Sequence, residues 1–319
     1  MRELRGNQNY PTCPYHNWRY DGTGKLLGVA MEKGLKGKGG YPDSFCKEDN
    51  GLQTLRVSVI SGVVFGTLDP SAPELNTFLG PRISQRIKDI CHKPLKILGY
   101  QRQTVHCNWK LFVENNRDSY HGPQLHSFIP QFGIARPADQ VAVEVDGANA
   151  LLSSWLETDE EGNIVDFPPQ QGEFQLEDPS IVEGFEALGA LQLSVISVFP
   201  ASLFTCIRNA WSFRRMIPTS PGTTNIEYTW FGYEDDTEFE QECRLKQSNL
   251  LGPAGYVAME DAEVLEMVQN AISQGDMSIL QFGGDDTGDT DHFNSEASIR
   301  AFWKGYCEIM DIPLQGDRS

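Results

Sequence analysis

Positive charge is scarce in this chain: 26 Lys and Arg stand against 44 Asp and Glu, a formal net charge of −18. A phosphate backbone or an anionic membrane surface would be repelled, which argues against both as partners. No apolar run reaches the roughly 18 residues that a bilayer-spanning helix needs, so the sequence reads as a soluble protein. The opening Met1-Arg2-Glu3-Leu4-Arg5-Gly6-Asn7 has no apolar core of the kind a signal peptide carries, and the cytoplasm is the default location. The seven cysteines are odd in number and irregularly spaced, at 13, 46, 91, 107, 206, 243 and 307. A disulfide framework is therefore not indicated, and most of them read as small buried hydrophobes. Residues 1 to 12 contain neither cysteine nor histidine, an absence that matters below.

What is present sorts into two parts. Up to about residue 70 the chain reads as short strands and turns. Trp18-Arg19-Tyr20 runs into the turn signal Asp21-Gly22-Thr23-Gly24, and Lys25 to Val29 returns, which makes a hairpin. Gly34 to Gly40 reads as a mobile loop, and Leu55–Ile60 and Val63–Leu68 are β-rich. Asp69-Pro70-Ser71-Ala72-Pro73 reads as a boundary, since prolines interrupt regular elements. Beyond it, segments near 74–91, 109–121, 236–250, 260–273 and 295–311 read as helices, and 141–155, 191–217 and 224–233 as strands of one antiparallel sheet. The expected fold class is α+β, a partial all-β domain over 1–70 followed by a domain over 71–319 with helices flanking an antiparallel sheet.

Chemistry concentrates in Asn108 to His126. Asp118 and His121 are three apart and would share a helix face, and Gly122-Pro123 would end or bend that helix and swing His126 back towards His121. Two neutral imidazoles converging on one ion suit iron(II), and a carboxylate would complete a facial triad that leaves open positions. The same spacing also fits two metal-free histidines near a helix end. The second segment is Cys13-Pro14-Tyr15-His16-Asn17-Trp18, whose Cys-x-x-His forms half of a Rieske site, in which two cysteines and two histidines hold a [2Fe–2S] cluster.

Taken together, the stretches 13–21 and 108–126 resemble the large subunit of Rieske non-haem iron ring-hydroxylating oxygenases. The likeness extends to Val63–Asp69 and to Gly252-Pro253-Ala254-Gly255, and so covers nearly the whole chain. Around Gly99–Gln103 and Ile134–Pro137 the wording is most similar to subunits acting on aromatic acids such as terephthalate, salicylate or anthranilate. The resemblance implies a mononuclear iron held by His121, His126 and a carboxylate, and a cluster site to which Cys13 and His16 contribute. The matching Cys-x-His is absent upstream, so the chain reads as an amino-terminally truncated member whose cluster ligand set is incomplete.

Met259 to Gln269 reads as a helix with Val264, Met267, Val268 and Ala271 as its buried stripe, and Asp261, three before Val264, lies on that side. Asp261 also falls where the family places its carboxylate ligand. Glu260 lies one register step away and, with Glu263, reads as a solvated charge. The acidic run 285–291 is a less suitable source. Asp118 is expected either to orient His121 or, by resemblance, to link the iron site to the Rieske histidine of a neighbouring subunit, here His16, in a ring of three catalytic subunits. A substrate carboxylate would call for an arginine in an apolar cavity. Arg208, with Phe204 beside it, is the first choice, and Arg214 and Arg215 are alternatives.

The activity implied is dioxygen activation at iron and dihydroxylation of an aromatic acid, with electrons from a reductase, with or without a ferredoxin, and a small β subunit in an α3 or α3β3 assembly. Monooxygenase or demethylase chemistry would use the same residues. Two competing readings are a truncated, non-catalytic fragment and a simple metal hydrolase; the latter leaves the Cys-x-x-His unexplained.

Overall fold

A computed structural model describes residues 7–126, 128, 139–161, 163, 176–272 and 288–313, and all structural statements concern these. The chain separates into two compact units, residues 1–59 with 63–73, and residues 60–62 with 74–319.

The first unit is built from turns and two short antiparallel ladders. β1 (Arg19–Tyr20) pairs with β2 (Leu26–Gly28). Asp21 makes the turn between them, its Oδ1 accepting from the backbone of Thr23 at 2.8 Å and Lys25 at 3.0 Å, as short acidic side chains do in turns. β3 (Arg56–Ile60) pairs with β4 (Val63–Thr67) through Ser61 and Gly62, both at positive φ.

The second unit is organised by a seven-stranded antiparallel sheet. Its strands are β5 (Leu95–Val105), β6 (Gln140–Asp146), β7 (Asn149–Trp155), β8 (Leu191–Val198), β9 (Ser202–Ile207), β10 (Ala210–Ser220) and β11 (Thr223–Tyr233), in the order β5-β11-β10-β9-β8-β7-β6. The helices are α1 (Leu75–Leu79), α2 (Pro81–Ile90), α3 (Trp109–Arg117), α4 (Gly122–Leu125), α5 (Glu238–Leu251), α6 (Tyr256–Ile272) and α7 (Ala297–Met310). One sheet face carries the main core, where Leu203, Tyr228 and Trp230 meet Phe112 and Val113 of α3, Leu265 of α6 and Phe302 of α7. On the other face Trp211, Phe231 and Tyr233 stack together, and Arg244 of α5 lies 3.8 Å from the Trp211 ring centre. That guanidinium is buried, and Asp236 neutralises it at 2.6 and 3.1 Å.

Several sequence expectations need correction. The helix expected over 74–91 is two helices, because Gly80 takes φ +85° and Pro81 starts a new one. A Cβ at residue 80 would lie 2.4 Å from the Asp146 carboxylate, so only glycine passes there. The strand region 191–217 folds into β8, β9 and most of β10. β5 was not foreseen: it is an edge strand in which Lys96, Gly99, Gln101, Arg102 and Gln103 mask the β pattern.

Candidate metal centre

The site grows out of the end of α3. Asn108 caps that helix, its side chain accepting from the Lys110 amide at 3.1 Å, and the helix stops at Arg117. Asp118 has already left helical geometry, with ψ 108°. It meets His121 through a turn rather than through the helical spacing expected. The Tyr120 amide donates to Asp118 Oδ1 at 2.7 Å, and Oδ2 lies 3.3 Å from His121 Nδ1. The approach is oblique, so Nδ1 makes no aligned hydrogen bond and the contact is electrostatic.

Gly122-Pro123 does not simply end a helix; it begins the one-turn α4, with proline in the first turn, where its missing N–H costs nothing. His121 sits at the N-cap and His126 at the C-cap, so one helical turn separates the imidazoles and their ring centres are 5.3 Å apart.

The carboxylate comes from α6. A Cβ on Gly255 would lie 1.9 Å from the Leu250 carbonyl, so this close turn out of α5 admits only glycine. The buried stripe of α6 is Ala258, Asp261 and Leu265, while Val264, Met267, Val268 and Ala271 are exposed. Asp261 therefore faces inward on a different stripe from the one read in the sequence. His121 Nε2 lies 3.5 Å and His126 Nε2 3.2 Å from Asp261 Oδ1, and the three candidate ligand atoms fall within 4.8 Å of one another. Among the described residues no other group of three His, Cys, Asp or Glu converges in this way.

Further groups surround this trio. Glu260, read in the sequence as a solvated charge, accepts from His126 Nδ1 at 2.8 Å. Asn115 donates to Asp261 Oδ1 at 3.0 Å. Neither role was foreseen; Asn115 lies two helical turns along α3 from its cap, and only the folded position of α6 reveals its partner. Burial alone would lower the His121 pKa, but Asp118 and Asp261 outweigh it and raise it to about 9. For His126, too, burial is overcome by Asp261 and Glu260 and the pKa rises. Burial would raise Asp261, yet the two imidazoles hold it well below the usual carboxylate range. Three carboxylates around two imidazoles thus demand positive charge, which protons or a divalent cation can supply. With two nitrogen donors and one oxygen donor, the set fits iron(II).

The trio lies on the wall of a cavity of about 350 Å³, of a size suited to a small ligand. Leu152, Leu193, Val195, Ile207, Leu251 and Val257 make most of the lining apolar. The polar exceptions include Arg214, 6% exposed, whose Nε donates to Ser212 Oγ at 3.1 Å, and Ser154, whose buried Oγ has no partner among the described residues.

Arg208 and Phe204 require correction, since neither lines this cavity. On β9 it is Thr205 and Ile207 that face it, whereas Phe204 packs against Phe231 at 5.1 Å on the opposite face. Arg208 lies beyond the strand in a tight turn at φ 50°. Arg215 pairs with Glu227 and is exposed, so of the three arginines weighed only Arg214 reaches the cavity.

Cys13 and His16 belong to the first unit. The amides of Tyr15 and His16 point at the Cys13 thiol and lower its pKa. A Rieske cluster takes two cysteines and two histidines, and residues 7–16 contain one of each. Of the acidic run, 285–287 lie outside the described residues, as do 134–137; Asp289 is held by Arg82 at 2.6 Å.

A family model described as ring hydroxylating alpha subunit (catalytic domain) matches residues 87–311. The chain is 37% identical to the terephthalate 1,2-dioxygenase terminal oxygenase component subunit alpha 2 of Comamonas sp, over 98% of this chain and 78% of that protein. It is 35% identical to the anthranilate 1,2-dioxygenase large subunit of Burkholderia cepacia, over 97% and 75% of the respective chains. Among solved structures, naphthalene 1,2-dioxygenase from Rhodococcus sp. bound to indole superposes with a TM-score of 0.73 at 20% identity, covering 97% of this chain and 77% of that one, a likeness of fold.

Proposed function

The chain belongs to the alpha subunits of the Rieske-type ring-hydroxylating oxygenases, and from that premise we propose that it hydroxylates an aromatic acid at a mononuclear iron held by His121, His126 and Asp261. The observation that carries this reading is the convergence of one ligand atom from each of His121, His126 and Asp261 within 4.8 Å, with both Nε2 atoms 3.2–3.5 Å from Asp261 Oδ1, on the wall of an apolar cavity. When bound, the iron supplies reductive activation of dioxygen.

The chain's own residues do the positioning. Glu260 accepts the Nδ1 proton of His126, which leaves Nε2 unprotonated towards the ion. At His121 the Asp118 carboxylate, 3.3 Å from Nδ1, favours a proton on that nitrogen by its charge. Asn115 holds the Asp261 carboxylate in place. The apolar lining excludes water from the ring, and Arg214 meets the substrate carboxylate with the guanidinium nitrogens that Ser212 leaves unused. The substrate class is taken from the relatives named above together with this one buried cavity cation; the product we propose is a cis-dihydrodiol.

Electrons would come from a reductase, with or without a ferredoxin, in an α3 or α3β3 assembly in the cytoplasm. Residues 1–70 would belong to a Rieske domain, in which Cys13 and His16 would be among the ligands of a [2Fe–2S] centre, and 71–319 would form the catalytic domain.

The test is anaerobic loading with iron(II) followed by metal analysis and calorimetric titration with benzoate. The expected result is about one iron per chain, lost in His121→Ala and in Asp261→Ala, and benzoate binding that is weakened in Arg214→Met. Unchanged iron in both ligand variants would overturn the metal assignment, and unchanged benzoate affinity in Arg214→Met would overturn the substrate assignment.

A further inference from the structure

The cavity lining includes one phenylalanine, Phe293, that belongs neither to the sheet nor to a helix. It is carried by residues 288–295, a strap fastened at both ends. At the first end Asp289 accepts from Arg82 Nη1 at 2.6 Å and from the Val145 amide at 2.9 Å, and Thr290 exchanges two backbone bonds with Val143, at 2.8 and 2.9 Å. These contacts fix the strap along the edge strand β6. At the second end Ser295, 1% exposed, ties the strap to the start of α7 by accepting from the Ala297 amide at 3.2 Å.

Between the fastenings Asp291, His292 and Asn294 are exposed, and Phe293 alone turns inward to the cavity. What holds it there is Ser119. This side chain is 4% exposed, and its Oγ lies 2.7 Å from the Phe293 carbonyl and 3.0 Å from the Ser295 carbonyl. One hydroxyl proton serves both acceptors, so both carbonyls are drawn to one point. Ser119 sits between Asp118 and His121, so the turn that presents a metal-site imidazole also sets the backbone of Phe293.

We infer that Phe293 is a specificity-determining residue that limits the cavity to single-ring substrates, and that Ser119 is the positioning residue that fixes it by hydrogen bonding to its backbone. The inference rests on the functional reading above only in taking this cavity as the substrate site. Lining a rigid wall, the ring excludes by shape: a fused second ring has to displace it, and the strap cannot move without breaking the Ser119 bond or the Asp289 and Thr290 fastenings. A deletion that removes the ring should reverse the preference, since shape differences of this size in a pocket change discrimination by about tenfold or more.

The experiment measures calorimetric dissociation constants of iron-loaded protein for benzoate and 2-naphthoate, and for the neutral pair toluene and naphthalene, with iron content recorded for each variant. In wild type the single-ring member of each pair binds more tightly. Phe293→Ala is expected to shift the one-ring to two-ring affinity ratio towards two rings by about tenfold or more. Ser119→Ala shifts it in the same direction by about threefold, the effect of one lost hydrogen bond, and Ser119→Thr, which keeps the hydroxyl, restores it. A general loosening of the fold would weaken both members equally and would not be rescued by threonine. An unchanged ratio in a Phe293→Ala protein with wild-type iron content overturns the inference. If the acids bind no better than the hydrocarbons in wild type, the aromatic-acid assignment fails while the ratio still tests Phe293. If no aromatic compound binds wild type, both fail.

Discussion

The two units of this chain solve the problem of staying folded in different ways. Among the described residues of the first unit only Leu26 is buried, and Val57, Val59, Val64 and Leu68 are each 55–66% exposed. The first unit is held by turns, short ladders and local hydrogen bonds. In the second unit a seven-stranded sheet buries large side chains on both faces, down to full burial of Phe302 and Ile196. A metal site needs ligands held to a fraction of an ångström, and only the second arrangement supplies that rigidity, through the packing of the inner faces of α3 and α6 into the core. The three candidate metal ligands all belong to the second unit, whereas Cys13 and His16 sit where little but backbone hydrogen bonding fixes them.

The contrast can be broken at its strongest point first. Asp236→Ala leaves the buried Arg244 guanidinium without its counter-ion and should destabilise the second unit by about 3–5 kcal/mol, read as a drop in the midpoint of chemical unfolding; a change of under about 1 kcal/mol would mean that the pair is not desolvated as the geometry implies. Gly80→Ala comes next. The φ of +85° and the carboxylate of Asp146 both oppose a side chain, and a cost of about 1–3 kcal/mol is expected in the same measurement.

Glu260→Met tests the site without touching a ligand. The His126 tautomer loses its acceptor, and iron(II) affinity should fall about ten- to hundredfold in competition with a chelator, while unfolding of the metal-free protein barely moves. Equal affinity would show that His126 is oriented by packing alone. The smallest effect belongs to the first unit: Val64→Ala, at 66% exposure, should change stability by under about 0.5 kcal/mol, and amide exchange should be fastest in residues 7–59. Strong protection there would erase the comparison.

Much of the site was legible in advance because local spacing constrains it. His121 and His126 lie within one short segment, and Gly122-Pro123 between them permits little besides a tight turn. The helix that carries the carboxylate was legible too, but Asp261 does not share its buried face with Val264 as their spacing implies. Its sequence has two stripes of suitable period, Val264/Met267/Val268 and Ala258/Asp261/Leu265, and the more hydrophobic one proved to be exposed. Glu260, dismissed as solvated, bonds a candidate ligand. The arginine was misjudged because alternation along β9 and β10 says which residues share a face, not which face meets the cavity. Phe293 and Ser119 could not be read at all, being joined across 174 positions.

Sequence alone thus determined the family, the α+β class with its antiparallel sheet and the pair of histidines, since each follows from residue identity and short-range spacing. Tertiary structure decided which carboxylate and which arginine face the cavity, and which ring closes it. Periodicity fixes the relative phase of side chains within a helix or strand, but the absolute rotation of that element about its own axis is set only by what it packs against.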